Sequence, residues 1–119
     1  MKTGKFPGTL CEFSVVWFRT QYVLQVIHQF GEDVSGETLI PGLKHQILLT
    51  VEKHHTADAY GNPGVEVFAT PALITLFENV CGECIRPFLS EKGFSVGTRV
   101  DIRHLGATPL GFEVSAQCE

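Results

Sequence analysis

The stretch VEVFATPALITLFE (residues 65–78) decides the fold, because it combines a helix start with a strongly apolar helix sequence. Threonine is preferred immediately before a helix, and proline is favoured at the first helical position. We therefore expect Thr70 to cap a helix that begins at Pro71 and runs to about Arg86. Pro87 lies just past this end, where a helix does not easily continue.

The predicted helix is apolar over most of its circumference, and a helix of this kind is normally wrapped by other structure. Its apolar positions at helical spacing are Leu73, Ile74, Leu76, Phe77, Val80, Cys81, Cys84 and Ile85. Glu78 lies at the edge of this apolar side, so we expect its carboxylate to be at least partly buried. A buried carboxylate needs a partner or a function. A carboxylate on the exposed flank of the helix is the structural alternative.

Three later segments alternate as strands do when one face is buried. In LKHQILLTVEKH, the inner row is Ile47, Leu49 and Val51. In FSVGTRVDIRHLGATPLG, it is Phe94, Val96, Thr98, Val100, Ile102 and His104. In FEVSAQCE, it is Phe112, Val114, Ala116 and Cys118. Between the first of these strands and the helix, Asn62-Pro63-Gly64 predicts a turn, because proline presets φ and glycine allows positive φ.

The first forty residues give a weaker signal. Residues 15–18 and 22–27 are dense in β-branched and aromatic side chains, which favours strands. A helix stays open as an alternative, because apolar residues between 22 and 30 also share a helical face. Polar residues interrupt the apolar segment 13–30, which excludes a transmembrane helix. This segment is a candidate partner strand for the later sheet, without a predicted register.

Length and charge limit the class of protein. A chain of 119 residues is long enough for one domain with a modest core. A hydrophobic fraction of 44% against 18% charged residues fits a globular protein and argues against disorder. The net charge of −4 gives no indication of a nucleic-acid groove. No secretory signal is recognisable and the cysteines lack a regular disulfide spacing, so we expect a reducing, cytoplasmic location.

The four cysteines do not predict a metal or redox site. Cys81 and Cys84 have the CxxC spacing, but they lie inside the predicted helix and no second pair follows. Cys11 and Cys118 are too distant in sequence to complete a site with them. We expect small apolar packing instead, with no metal and no cofactor. The His54-His55 pair fits no ligand pattern, and we expect it in a solvated loop.

Three polar side chains are out of place in this apolar framework: Thr70 at the helix start, Glu78 beside the apolar side, and His104 at the end of an apolar row. A helix packed on a sheet could bring them together. A histidine, a carboxylate and a hydroxyl can act as base, orienting group, and nucleophile or water holder. Spacing alone leaves purely structural alternatives open. Thr70 could be a helix cap, Glu78 a carboxylate on the exposed flank of the helix, and His104 a structural histidine.

The two motifs VEVFATPALITLFE and SVGTRVDIRHLGATPLG together resemble the hotdog-fold thioesterases of the fluoroacetyl-CoA thioesterase type, over roughly residues 43–114. The resemblance implies an α+β fold in which an antiparallel sheet wraps a long central helix. It also implies a homodimer with the active site near the dimer interface, and hydrolysis of an acyl-CoA thioester. By the same resemblance, Thr70, Glu78 and His104 are catalytic, and the backbone of Gly97 contacts the thioester carbonyl.

Some regions depart from the family pattern. AYGNPGVEV has glycine and proline where the fluoroacetyl-selective member has a phenylalanine-bearing lid, which favours a general short acyl-CoA substrate. Residues 1–40 do not resemble the family, so we expect an atypical N-terminal segment followed by a hotdog-like domain at residues 41–119. Family members continue for two more strands, so this domain is expected to be incomplete at its C-terminus. The alternative function is a non-catalytic acyl-CoA-binding or dimerisation module, or an inactive fragment.

Overall fold

A computed structural model of the chain describes residues 10–17, 20–29, 42–89 and 94–119. These ranges contain one helix, α1 (Thr70–Ile85), and five strands: β1 (Leu10–Trp17), β2 (Thr20–Gln29), β3 (His45–Thr50), β4 (Phe94–Ile102) and β5 (Glu113–Cys118). All strand pairs are antiparallel, so the α+β prediction is confirmed. Within the same ranges, no helix has both the length and the apolar sequence needed to cross a bilayer.

The strands form two sheets, one with the order β1-β2-β4 and one that pairs β3 with β5. In the N-terminal part, the strand interpretation is confirmed and the helical alternative is wrong. There β1 and β2 form a hairpin in which Trp17 lies opposite Thr20. Because β2 also pairs with β4, the N-terminal part of the chain supplies a partner strand to the strand that leads to His104.

An irregularity in the pairing of β4 changes the predicted inner row. Gln25 of β2 lies opposite Arg99, whereas the next residue, Val26, lies opposite Gly97, so β4 carries one extra residue at Thr98. Such a β-bulge interrupts the alternation of the longer strand. Val100, predicted in the inner row, is exposed, so the prediction is wrong at this position.

The core lies between α1 and the β3-β5 sheet. The buried helix residues are Ala72, Leu73, Leu76, Phe77, Val80, Cys81, Cys84 and Ile85. They pack with Val51 and Phe68 and with the inner row of β5, which consists of Val114, Ala116 and Cys118. The periodicities predicted for the helix and for β5 are thus confirmed, except that Phe112 is exposed before β5 begins.

Glu78 differs from its prediction, because its side chain is exposed. The buried side of α1 covers a smaller part of the helix circumference than the apolar sequence predicted. Ile74, four residues before Glu78 and therefore its neighbour on the helix surface, is only half-buried, and Thr75 is exposed. The described elements of this chain cover the opposite side of α1 and leave the Glu78 side open to solvent.

The turn at Asn62-Pro63-Gly64 is confirmed. Gly64 has φ of +80°, a left-handed conformation that side chains beyond glycine rarely adopt. The Gly64 N–H donates to the Asp58 carboxylate at 2.7 Å, and this hydrogen bond joins the two ends of the loop at residues 58–64. Two 3₁₀ turns, Lys53–His55 and Ala57–Tyr60, precede this point and connect β3 to the approach of the helix.

Candidate active site

Two loops hold the backbone that leads into α1 by hydrogen bonds. From one side, the loop after β3 contributes the His55 carbonyl, which accepts the Ala69 N–H at 2.9 Å. From the other side, the loop after β4 contributes the Thr108 carbonyl, which accepts the Phe68 N–H at 2.8 Å. An isolated bridge between Val67 and Pro109 adds to this second contact. The helix start and the chain just past His104 are therefore held next to each other.

This arrangement brings two of the predicted site residues into direct contact. The hydroxyl oxygen Oγ1 of Thr70 lies 2.8 Å from Nδ1 of His104, within hydrogen-bond distance. Thr70 is exposed and His104 is half-buried, so a molecule in solution can reach the pair. Two residues distant in sequence thus form the hydroxyl–imidazole contact that nucleophilic catalysis requires.

The position of Thr70 explains why its hydroxyl is available. Ala69, not Thr70, is the N-cap, and Thr70 is the first residue of α1. The prediction that Thr70 caps the helix is therefore wrong by one residue, although the helix start itself is correct. No side chain caps the helix at this end, and the Thr70 hydroxyl is engaged by His104 instead. The other end, at Ile85 with Arg86 as C-cap, agrees with the prediction.

The chemistry of the pair depends on the tautomer of His104. When the ring carries its proton on Nε2, the Thr70 O–H donates to Nδ1, and the imidazole can accept that proton as a general base. The N-terminus of a helix carries positive potential from its free N–H groups. A negative charge that develops beside Thr70 is therefore stabilised, which suits attack on a carbonyl and formation of an oxyanion.

The structure does not bring Glu78 to this pair within one chain. Glu78 follows Thr70 by eight residues on α1, which places it ~12 Å further along the helix axis at 1.5 Å per residue. No described residue forms an ion pair or a hydrogen bond with its carboxylate. It is thus an exposed acid on the uncovered side of α1, free to meet a group from outside the described chain.

Gly97 forms no hydrogen bond with the pair within the described part of the chain. It lies within β4, whereas His104 follows the end of that strand at Ile102. Gly97 is exposed and sits directly before the extra residue of the β4 bulge. Because a bulge leaves one residue of the longer strand unpaired, backbone donors at this point are not all used by the ladder.

His55 is less solvated than the sequence suggested. Its Nδ1 accepts the Glu52 backbone N–H at 3.0 Å, and its ring packs edge-on against Phe68 with centroids 6.2 Å apart. Burial lowers the pKa of His55, and the neighbouring His54 adds to this effect, whereas Glu52 and the Thr50 backbone oppose it. The prediction of a solvated loop is correct for the exposed His54, whereas His55 is half-buried with its ring against Phe68.

Three of the cysteines lie in the core in an arrangement that the sequence did not predict. Cys81, Cys84 and Cys118 are free thiols, all buried, and the Cys118 Sγ donates to the Val80 carbonyl of α1 at 3.5 Å. Packing in the core is confirmed for Cys81 and Cys84, but the separation of Cys118 from them is wrong, because β5 packs on α1. Among the described residues, no three His, Cys, Asp or Glu side chains are grouped as metal ligands would be.

Comparisons with known proteins link the chain to one family. The profile of the family described as fluoroacetyl-CoA-specific thioesterase matches residues 51–119, more than half of the chain, including α1 and both members of the Thr70–His104 pair. A fluoroacetyl-CoA thioesterase from Streptantibioticus cattleyicolor is 37% identical over 54 residues, which are 45% of this chain and 39% of that protein. No solved structure matches the chain. The chain therefore belongs to the family of fluoroacetyl-CoA-specific thioesterases.

Proposed function

We propose that this protein is an acyl-CoA thioesterase that hydrolyses a short acyl thioester to the free acid and coenzyme A. The observation that carries this proposal is the 2.8 Å contact between the Thr70 hydroxyl and His104 Nδ1, at the N-terminus of a helix. Thioester hydrolysis needs an activated oxygen nucleophile and a donor for the oxyanion, and this corner of the fold supplies both kinds of group. Family membership supports the same reaction class.

In the proposed reaction, His104 removes the proton of the Thr70 hydroxyl while its oxygen attacks the thioester carbonyl carbon. The resulting oxyanion is stabilised by the free N–H groups at the start of α1. When the intermediate collapses, the carbon–sulfur bond breaks, and the coenzyme A sulfur receives the proton from His104. Water, deprotonated by His104, then attacks the threonine ester and releases the acid, which restores the Thr70 hydroxyl.

The site is completed by a second copy of the chain. Glu78 lies ~12 Å along α1 from Thr70, and both Glu78 and Gly97 are exposed in one chain. In a homodimer, Glu78 of one copy would approach the pair of the other, where its carboxylate orients or assists the nucleophile. The backbone N–H of Gly97, next to the β4 bulge, would donate to the thioester carbonyl oxygen.

The architecture that fits this assembly is the hotdog fold, in which sheet strands wrap the central helix and two copies associate. Its support here is the family match and the antiparallel sheets around α1. Val100 on β4 and the Glu78 side of α1 are exposed in one chain, and a second copy would cover them.

The substrate class follows from the loop before the helix. Residues 61–64, with the sequence Gly-Asn-Pro-Gly, form an exposed turn without an aromatic side chain. Glycine and proline in this turn supply no phenylalanine that could close over a fluorine-bearing acyl group, and the aromatic residue directly before it is the exposed Tyr60. A general short acyl group, rather than fluoroacetyl in particular, is therefore the proposed substrate.

The test is thiol release by the purified full chain from acetyl-, propionyl-, butyryl-, fluoroacetyl- and octanoyl-CoA, with parallel calorimetric binding measurements. We expect turnover of the short esters, with kcat/KM for fluoroacetyl-CoA within about tenfold of that for acetyl-CoA. Binding of the esters by folded protein without thiol release would contradict the proposed catalysis and support a non-catalytic acyl-CoA-binding module. Neither binding nor release by folded protein would contradict both functions.

A further inference from the structure

The 3₁₀ turn Lys53–His55 reaches the start of α1 through its last carbonyl. The His55 carbonyl accepts the Ala69 N–H at 2.9 Å. Ala69 is the N-cap of α1, and its own carbonyl accepts the Leu73 N–H at 3.0 Å. Because Thr70 follows Ala69 directly, the backbone of Ala69 sets where the Thr70 hydroxyl lies.

The imidazole of His55 helps to keep this turn closed. Its Nδ1 accepts the Glu52 N–H at 3.0 Å, while the His55 N–H donates to the Glu52 carbonyl at 2.9 Å. A side-chain bond and a backbone bond therefore join the same two residues. The backbone bond of a short 3₁₀ turn has poor geometry, so the second bond contributes to holding the turn. The position of the His55 carbonyl thus depends on the His55 side chain.

The same ring also packs on the segment that leads into α1. It lies edge-on to Phe68, with ring centroids 6.2 Å apart, and Phe68 is buried. The Phe68 N–H donates to the Thr108 carbonyl, in the loop that follows His104. The His55 ring therefore contacts the segment that the loop after β4 also holds by a backbone bond.

The acceptor role requires a neutral ring. A protonated imidazole carries N–H groups at both nitrogens and cannot accept the Glu52 N–H. Burial lowers the pKa of His55, the nearby His54 adds to this effect, and Glu52 opposes it less strongly. The ring is therefore neutral at pH 7, with Nδ1 as the acceptor and the proton on Nε2.

We propose that His55 is a positioning residue of the thioesterase: through Nδ1 it holds the turn whose carbonyl holds Ala69, and thereby keeps the Thr70 hydroxyl against His104. His55 acts through the backbone and takes no proton in the reaction. A small displacement of the hydroxyl from His104 slows the attack, because the reacting groups must be aligned. The effect on turnover rests on the proposed function, whereas the effect on Ala69 does not.

The test compares variants that differ in what they offer to the Glu52 N–H. His55→Asn carries an amide oxygen the same number of bonds from the backbone as Nδ1, so it keeps an acceptor. His55→Leu has a similar size and can still pack on Phe68, but it has no acceptor. His54→Ala is the control, because the His54 ring is exposed and lies outside this chain of hydrogen bonds.

Two readouts on the folded full chain follow the proposed chain of contacts. Amide hydrogen exchange of Ala69 reports on its bond to the His55 carbonyl, with the Leu76 amide inside α1 as the reference. In His55→Leu, we expect Ala69 exchange to accelerate on the order of tenfold relative to Leu76. The kcat for thiol release from acetyl-CoA should fall by roughly tenfold with KM within about twofold of wild type. His55→Asn and His54→Ala should resemble wild type in both readouts.

Several results would overturn the inference. Unchanged exchange at Ala69 in His55→Leu would show that the side chain does not hold this bond. Equal acceleration at Ala69 and Leu76 would show a merely structural role. Faster exchange at Ala69 with unchanged kcat would separate His55 from Thr70. A loss of kcat in His55→Asn as large as in His55→Leu would exclude the acceptor as the cause.

The comparison stays decisive in two further cases. Where His55→Leu does not fold, His55→Gln takes its place, because its amide oxygen lies one bond further from the backbone than Nδ1. Where folded wild type releases no thiol, the proposed function is contradicted, and exchange at Ala69 alone decides whether His55 holds the helix start.

Discussion

The Thr70 hydroxyl oxygen and Nδ1 of His104 lie 2.8 Å apart, although 34 positions separate the two residues in the sequence. Two carbonyls, of His55 and Thr108, hold the backbone just before Thr70 from opposite sides. The contact thus results from how the loops after β3 and β4 meet the helix start. The reaction proposed for the protein depends on this pair.

The role of Thr70 can be tested by comparing serine with alanine. Thr70→Ser keeps a hydroxyl beside His104 and should retain activity within about tenfold of wild type, whereas Thr70→Ala should lower kcat by on the order of 10²–10⁴-fold. Both variants should melt near the wild-type temperature, because residue 70 is exposed. Mass spectrometry of quenched wild-type reactions should show an acylated Thr70. An active Thr70→Ala protein would mean that water, not Thr70, attacks the substrate.

The composite site predicts complementation between two inactive chains. Glu78→Gln and His104→Ala should each be inactive as pure proteins, since each homodimer lacks one group at every site. A heterodimer of the two variants would contain one site with both groups intact, by the two-fold symmetry of the pair. Unfolding and refolding an equal mixture should therefore restore about a quarter of wild-type activity.

The matched control for this experiment is an equal mixture of Thr70→Ala and His104→Ala. Their side chains belong to the same half of the site, so this mixture should stay inactive. Recovery in the control mixture, or no recovery with Glu78→Gln, would contradict a site shared between two chains in this way.

His55 predicts a loss of stability in mild acid. Its folded-state pKa lies below its ordinary value of 6.5, so the unfolded chain binds the proton more readily than the folded chain. The stability linked to His55 is therefore complete above the ordinary pKa and is lost as the pH falls through the lowered one. His55→Gln removes this titration, and its melting temperature should fall less than that of wild type between pH 7.5 and 5.5. Parallel melting curves against pH would show instead that His55 does not contribute.

Truncating a buried side chain at the C-terminal end of α1 should lower the stability of the protein strongly. Ile85 is fully buried, and Ile85→Ala leaves a cavity between the helix and its neighbours. We expect a decrease of about 2–5 kcal/mol in the free energy of unfolding in urea. Thr75→Ala on the exposed side of the same helix is the control and should change stability by less than about 0.5 kcal/mol. Equal effects at the two positions would contradict the described packing.

Local patterns in the sequence predicted the local elements of this fold. The Thr70-Pro71 start and the periodicity of apolar residues fixed α1 to within one residue at each end, and alternation located the buried row of β5. Beside a proline, a threonine can be the cap or the first helical residue. Here Thr70 is the first helical residue, and its hydroxyl contacts His104, which is distant in sequence.

Features that depend on distant partners were not predictable in the same way. Apolar periodicity shows which side of a helix can be buried, but not whether another element covers Glu78. The bulge at Thr98 depends on the register of β2, which no local pattern in β4 reveals. The contact of Cys118 with the Val80 carbonyl requires β5 to pair with β3 and pack on α1. The Thr70–His104 contact was predicted through motifs, and the geometry then supplied its distance.

The most direct measurement of the central claim compares thiol release from acetyl-CoA by wild type, His104→Ala and His54→Ala, after circular dichroism confirms that all three are folded. His54→Ala is the matched control, because that ring is exposed and lies outside the catalytic pair. We expect turnover by wild type and His54→Ala and a decrease of on the order of 10²–10⁴-fold in His104→Ala. Equal turnover by His104→Ala and wild type would contradict the assignment of this pair as the catalytic centre.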